Sequence, residues 1–300
     1  MLDKSTNSIL SEYVIKNELI HSSHFVEKYT GSAKTIYSFG DEWLKFNHNS
    51  LDYSETAASE YFDIFTLNQL KKDWTVIDVG CGTGRWARRI APKVRTLYGI
   101  EQSSAINTFI QNTKDNSNII PIKAFAERLP FIDSSIDLAL SYGVLHHIVD
   151  TEKAIKEINR VLKEKGVFLF YFYYNLDNRS YFYKLIFNIS NLMRRIISKF
   201  PNPIKNLTCE ILTIFIYLPL VLFTNTIIKF FGSKLAMKVP LSSYYNKPFY
   251  ILRNDCRDRF GTPLEKRYSK EEIKQLLNKN NFSEVFFSNN VPYWHGYAIK

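Results

Sequence analysis

Cysteine is nearly absent from this sequence: Cys81, Cys209 and Cys256 are three of 300 residues. They are too few and too scattered for a disulfide framework, and without a Cys-x-x-Cys pair a structural zinc site is disfavoured. The opening stretch, MLDKSTNSIL, lacks the apolar run of a signal peptide, which makes a reducing, cytoplasmic setting the expectation. No internal repeat and no low-complexity tract occurs. Apolar residues are plentiful, at 45% of the chain with 15% aromatic, which excludes a disordered protein. The length suits one large domain, or one domain with a substantial insertion.

Negative charge is scarce in the second half. Residues 1–170 hold 20 Lys and Arg against 21 Asp and Glu, whereas 171–300 hold 19 against 8. Between 178 and 250 ten basic residues face the single acid Glu210. The net charge of +10 therefore concentrates in one segment, and that segment is also very apolar.

From residue 75 the chain alternates strand and helix signals. Thr75–Val79, Arg95–Ile100, Ile119–Lys123 and Ile136–Tyr142 read as strands, with helices expected over Gly84–Ile90, Ser103–Lys114 and Thr151–Leu162. Lys165-Gly166 is expected to separate the last helix from Val167–Tyr174, an apolar run typical of a strand buried on both faces. The alternation pauses over 175–260. It resumes with Ser269-Lys-Glu-Glu272, a capping box opening a helix to about Lys279. Glu284–Ser288 and Tyr293–Ile299 then suit an antiparallel hairpin at a sheet edge. This is an α/β chain with a doubly wound, mostly parallel sheet. Its expected divisions are an N-terminal cap over 1–60, a core over 61–177, a basic apolar helical insertion over 178–254, and a C-terminal completion of the sheet over 255–300.

The chemistry concentrates in Val76-Ile-Asp-Val-Gly-Cys-Gly-Thr-Gly84, at a strand-to-helix turn. Gly80, Gly82 and Gly84 let the backbone turn sharply with no Cβ between it and a ligand. Such turns face the crevice where open α/β sheets bind ligands. The dinucleotide fingerprint requires its third glycine one residue later, where Arg85 stands, and nothing here grips a pyrophosphate. Glu101, at the end of the second strand, can accept two hydrogen bonds from a ribose diol. Asp78 repels phosphate and suits an ammonium group. A ribose, an ammonium and no phosphate describe S-adenosylmethionine.

Residues 74–174 resemble the class I S-adenosylmethionine-dependent methyltransferases, especially the type 11 group that includes the ubiquinone/menaquinone C-methyltransferases and many small-molecule O-methyltransferases. The matching pieces are the glycine turn, Gly99-Ile-Glu101-Gln-Ser, Ala126-Glu-Arg-Leu-Pro-Phe131, Ser135-Ile-Asp137-Leu and Val144-Leu-His-His-Ile148. The resemblance implies a seven-stranded Rossmann-like sheet with a C-terminal antiparallel strand. It also implies that Asp78, Gly80, Cys81, Gly82 and Gly84 hold the methionine part, and Glu101 with Gln102 the ribose. Ala126 and Glu127 would flank the adenine, and Ser141 and Tyr142 line the methyl side. The family usually has an Asp where this chain has Phe125, which leaves stacking and backbone contacts to hold the adenine. Tyr37 and Trp43, in an aromatic element ahead of the core, are candidates either to lid the cofactor or to pack in the core. Asp258–Ser269 and Pro292–Tyr297 resemble the return segment and last strand of members with a long insertion.

Methyl transfer from a sulfonium is an in-line displacement in which the protein mainly positions and desolvates. A base is needed only when the acceptor is protonated. His146 and His147, just past the fourth strand, are the candidates, set against a structural role in which one packs on the sheet and the other caps the next loop. His295 is a more distant candidate. No Asn-Pro-Pro-Tyr-like sequence follows the fourth strand, which disfavours the enzymes that methylate the amino groups of adenine or glutamine, and no metal site is expected.

In the insertion, residues 211–231 carry one charge, Lys229, over a length near that of a membrane span. Pro219 and Thr224-Asn-Thr226 are expected to break it, and basic residues flank it on both sides. Phe182, Leu185, Ile189, Leu192, Ile196 and Phe200 follow helical spacing, with Lys184, Arg195 and Lys199 on another side. That pattern suits an amphipathic helix at a membrane surface. The alternatives are a lid over an apolar acceptor or a dimer interface. The expected function is methyl transfer to a small apolar or lipid-linked acceptor, at a hydroxyl oxygen, in a cytoplasmic protein with peripheral contact to the inner membrane face through 178–250. Quinone C-methylation is a near alternative. An RNA methyltransferase is disfavoured because the charge lies in an apolar insertion without an RNA-binding module. Phe125 is the one hint towards a non-catalytic, cofactor-binding membrane-docking protein.

Overall fold

A computed structural model describes residues 13–16, 19–22, 40, 58–177, 179–236 and 239–300. Tyr37 and Trp43 lie outside the described residues. Among the described residues nine strands form one sheet. They are β1 (Tyr13–Lys16), β2 (Leu19–Ser22), β3 (Thr75–Val79), β4 (Thr96–Ile100), β5 (Ile119–Lys123), β6 (Ile136–Tyr142), β7 (Leu162–Tyr171), β8 (Glu284–Phe287) and β9 (His295–Ile299). The seven strands β3–β9 form the expected mixed sheet in the order β5-β4-β3-β6-β7-β9-β8, parallel except where β9 pairs antiparallel with β7 and β8. The hairpin β1–β2, for which the sequence carries no clear signal, extends the edge beside β5.

Both faces of the sheet are covered. Ile77 and Val79 face a core shared with Ile155 and Ile158 of one helix and Ile273 and Leu277 of another. Val76 faces the opposite core, with Ile106, Phe109 and Leu138. This two-sided burial is why β3 reads as a continuous apolar run. Its one acid, Asp78, therefore stands in a buried position. Strand β3 is pinned at its start by Asp137 on β6, whose Oδ2 accepts the Thr75 N–H at 2.8 Å while Lys163 pairs with Oδ1 at 2.7 Å.

The helices of this part are α1 (Ala87–Ile90), α2 (Ala105–Thr113) and α3 (Thr151–Val161). Helix α1 begins three residues later than expected, because Gly84 has a φ of +87° and cannot enter a right-handed helix. Helix α3 ends at Val161, one residue short of the expected Leu162, but Lys165-Gly166 lies inside β7 instead of between helix and strand. The register of β6 against β7 shifts between Ile136/Leu162 and Leu138/Val167, so residues 163–166 form an irregularity inside the strand, with Lys165 at a φ of +62°.

The chain divides into two compact units, 1–175 with 264–300, and 176–263. The second holds helices α4 (Tyr181–Ile197), α5 (Asn202–Leu212), α6 (Leu218–Phe231) and α7 (Phe249–Gly261). The boundary expected at 255 falls inside α7, which packs on Cys209, Leu212 and Tyr217 through Leu252, Cys256 and Phe260. The break expected at Pro219 does not occur. Helix continues from Asn202 to Phe231 through a wide π turn over Thr213–Tyr217, which loosens the backbone just where the proline ring would meet the preceding turn. Thr224 and Thr226 return their hydroxyls to the carbonyls of Leu220 and Leu222, so both threonines are satisfied within the helix. The last helix, α8 (Lys270–Lys279), belongs to the first unit. Its Ser269 cap has the expected reciprocal bonds with Glu272.

Candidate functional site

Strand order reverses between β3 and β6, because the chain runs from β3 outward to β4 and β5 before returning to β6 on the other side. The carboxyl edge at that point is where an open α/β sheet leaves room for a ligand. Leaving β3, the Gly80 and Cys81 amides both donate to the Ile100 carbonyl, at 2.8 and 3.0 Å. Gly80, Gly82 and Gly84 all take positive φ, at +79°, +53° and +87°. A Cβ on Gly80 would stand 2.3 Å from a Val144 methyl carbon, so the turn has no room for a side chain there.

Two carboxylates meet beneath this turn. Glu101 accepts the Ser103 N–H at 2.7 Å through Oε1 and the Gly82 N–H at 3.3 Å through Oε2. Asp78 is 1% exposed, and its Oδ2 has no hydrogen-bond partner among the described residues. Burial first, and then the negative charge of Glu101, push the Asp78 carboxyl up to about 8 from an ordinary 3.8. An uncompensated buried acid beside a second acid is costly unless a cation completes the site. A ligand ammonium would supply that compensating charge. Glu101 keeps lone pairs for a diol beyond the two amides it accepts. The residues thus fit S-adenosylmethionine, with no phosphate partner required.

The same burial, reinforced by Asp78 and Glu101, holds the Cys81 thiol well above its ordinary value. Cys81 packs in the core as an inert apolar group. Gln102 is half-buried beside Glu101. At the same sheet edge, after β5, Phe125 is half-buried and Ala126 and Glu127 are buried. Burial raises the Glu127 carboxyl, whose Oε2 has no partner among the described residues. This loop is clamped by Arg160, which donates to the Leu129 and Phe131 carbonyls at 3.0 and 2.7 Å and pairs with Glu157 and Asp133.

Ser141 and Tyr142 end β6, with their polar groups engaged inside the protein. The Ser141 hydroxyl donates to the Val79 carbonyl at 3.0 Å, and the Tyr142 hydroxyl to the Tyr61 carbonyl at 3.2 Å. The Tyr142 ring lies 5.3–5.7 Å from the rings of Tyr61, Phe62 and Trp86. Burial, then Asp63 and Asp78, push the Tyr142 phenol upward.

His146 and His147 are both buried and take different tautomers. The Tyr173 N–H points at His146 Nδ1 at 3.3 Å, which places the proton of a neutral ring on Nε2. His146 also stacks on Tyr173, with centroids 3.8 Å apart, and burial, His147 and Arg267 hold it well below 6.5. His147 faces the Leu264 carbonyl through Nδ1 at 2.7 Å, so Nδ1 carries a proton, which in a neutral ring leaves the lone pair on Nε2. The segment after residue 263 braces this loop further. The Lys266 ammonium donates to the Val149 carbonyl and the Tyr268 hydroxyl to Thr151.

His295 is placed apart from that pair. Its Nε2 meets Asp63 Oδ1 at 2.8 Å, its Nδ1 meets the Pro292 carbonyl at 2.6 Å, and Ser288 and Asn290 complete the shell of Asp63. Sequence reasoning missed Asp63 and Tyr61. Asp63 stands 232 residues from His295, in a segment without a motif, and only the fold brings the two together. Among the described residues no group of His, Cys, Asp and Glu is arranged to hold a metal ion.

Residues 77–170 match a family model described as a methyltransferase domain. The chain is 32% identical over 105 residues to the uncharacterized methyltransferase YcgJ of Bacillus subtilis (strain 168), covering 34% of this chain and 41% of that protein. It is 34% identical over 106 residues to the ubiquinone/menaquinone biosynthesis C-methyltransferase UbiE of Campylobacter jejuni, covering 33% and 44%. The chain thus spans less than half the length of either relative. It is also similar to the crystal structure of a SAM-dependent methyltransferase from Aquifex aeolicus, with 15% identity, a TM-score of 0.48, and coverage of 87% and 97%. The glycine turn and its two carboxylates lie within residues 77–170, the stretch that matches the methyltransferase-domain model.

Proposed function

We propose that this chain transfers a methyl group from S-adenosylmethionine to the hydroxyl oxygen of a small apolar or lipid-linked acceptor met at a membrane surface. The observation that carries the reading is the buried Asp78 carboxyl, whose Oδ2 has no hydrogen-bond partner among the described residues, beneath a three-glycine turn and near Glu101. When bound, the cofactor supplies a methyl group already activated on a sulfonium. Asp78 holds its ammonium and Glu101 its ribose diol. Phe125, Ala126 and Glu127 flank its adenine, with stacking on Phe125 replacing a carboxylate contact. The aromatic wall of Tyr61, Phe62, Trp86 and Tyr142 excludes water beside the end of β6.

The two histidines divide the proton work. Nε2 of His147 carries the lone pair and takes the hydroxyl proton of the acceptor, while the Leu264 carbonyl fixes the ring through Nδ1. His146, with its proton on Nε2, acts as a donor that orients the acceptor. Incubating the full chain with methyl-labelled S-adenosylmethionine and an organic extract of lipids and quinones tests the reading. Label in the organic phase as methoxy carbon is the expected result. Cofactor binding without any labelled product would refute turnover. A ring-bound methyl carbon would instead favour quinone C-methylation, the reading suggested by the name of the Campylobacter relative. His147→Asn should leave cofactor binding intact and lower the rate of methyl transfer to a hydroxyl acceptor.

A further inference from the structure

The unit 176–263 wears its apolar residues on the outside. Among the described residues, 20 of the 23 large apolar side chains that are exposed lie in it. On α4, Phe182, Leu185, Ile189, Leu192 and Ile196 recur every three or four residues along one stripe, and all are exposed, Phe182 at 70% and Leu192 at 60%. On α5 the stripe Ile204, Leu207 and Ile211 is exposed as well. The small apolar interior around Leu212, Tyr217 and Leu252 shares its space with buried cations. Arg194 is buried and donates to the Thr262 and Pro263 carbonyls and to Asn191. Arg257 is fully buried and donates to Asn206 at 2.8 Å. A surface helix in water shows the reverse arrangement.

Such a face needs a cover, and charge selects it. Residues 176–263 hold 13 Lys and Arg against 4 Asp and Glu, a net of +9 out of +10 for the whole chain. Arg195 and Lys199 are exposed next to the α4 stripe. A second copy would set +9 against +9, whereas an anionic lipid surface satisfies both the apolar stripe and the basic flank. A single transmembrane crossing is excluded by topology. Strands β7 and β9, which precede and follow this unit, pair in one sheet, so the chain leaves and returns on the same side. Crossing and returning takes two helices, and the described residues hold one helical stretch long and apolar enough to cross.

We infer that residues 176–263 form a foot that docks in the plane of an anionic bilayer, with the exposed stripes of α4 and α5 in the acyl boundary and Arg195 and Lys199 at the headgroups. The docking surface is a property of this unit and holds whether or not residues 77–170 turn over a methyl group.

The test is co-sedimentation of the full chain with phosphatidylcholine vesicles and with phosphatidylcholine–phosphatidylglycerol vesicles, beside light scattering without lipid. The expected result is binding to the mixed vesicles at least about tenfold stronger than to the neutral ones, and weakened when salt rises from about 0.1 to about 0.5 M. Ile189→Asp with Leu192→Asp should reduce vesicle binding about tenfold or more while circular dichroism and the urea midpoint stay unchanged. Arg195→Glu with Lys199→Glu, which spares the apolar stripe, should remove the preference for anionic vesicles. Absence of binding to either vesicle would overturn the inference. So would equal, salt-insensitive binding to both, or a dimer in solution that Ile189→Asp dissolves, since the stripe would then cover a second copy.

Discussion

Replacing Asp78 by Asn probes the site through proton linkage. The folded carboxyl sits near 8 against 3.8 in an unfolded chain, because it is buried and faces Glu101. Between those two values the folded protein binds a proton that the unfolded chain has released. The unfolded state then binds fewer protons, and stability falls as pH rises. The fall is about 1.4 kcal/mol for each pH unit between the two values, so the group costs about 4 kcal/mol at pH 7, and its full cost is reached above pH 8. Urea unfolding from about pH 5 to about pH 8 should therefore show wild type losing about 3 to 4 kcal/mol relative to Asp78→Asn over that range. Cofactor binding should run the other way. Admitting an ammonium requires Asp78 ionised, so wild-type affinity for S-adenosylmethionine should rise by up to about tenfold per pH unit between about pH 6 and 8. Titration calorimetry of Asp78→Asn should give weak binding with that pH dependence removed. Parallel slopes for wild type and variant, in both stability and affinity, would refute the assignment of Asp78 as the buried acid that meets the ammonium.

Arg160→Ala removes the clamp on the loop after β5. It should destabilise the protein by about 2 kcal/mol in urea unfolding and raise amide exchange over 126–133. Asp63 is raised by burial but drawn lower overall by hydrogen bonds from Ser288, Asn290 and His295, so its stabilisation is present above the ordinary carboxylate range and lost as pH falls through its lowered value. Asp63→Asn should lose stability at neutral pH and show a shallower acid denaturation than wild type, as followed by circular dichroism. Gly80→Ala places a Cβ 2.3 Å from Val144 at a φ of +79°, and should cost about 2 kcal/mol or more in thermal unfolding.

The core was legible because its signals are local. The strand β3, the glycine turn, Glu101 at the next strand end and the Ser269 capping box each follow from a few neighbouring residues. The parts that escaped depend on distant partners or on backbone geometry. The hairpin β1–β2 gains its place by adding to β5, and no local pattern announces that. Helix α1 starts late because Gly84 has left-handed backbone, although the same glycine marks the turn. Pro219 reads as a breaker, yet a π turn one step earlier absorbs it. The Asp63–His295 pair is joined by folding alone. The tautomers of His146 and His147 are set by Tyr173 and Leu264, one just past the next strand and one far along the chain.

The central claim is that the three-glycine turn with Asp78 and Glu101 binds S-adenosylmethionine. Equilibrium dialysis of the full chain against S-adenosylmethionine at about pH 8, beside Gly80→Ala and Glu101→Gln proteins whose folding is verified by circular dichroism, tests it most directly. One saturable site is expected in the wild type, with affinity reduced at least about tenfold in Glu101→Gln and more in Gly80→Ala. Undiminished binding in both folded variants, or none in the folded wild type, would contradict it.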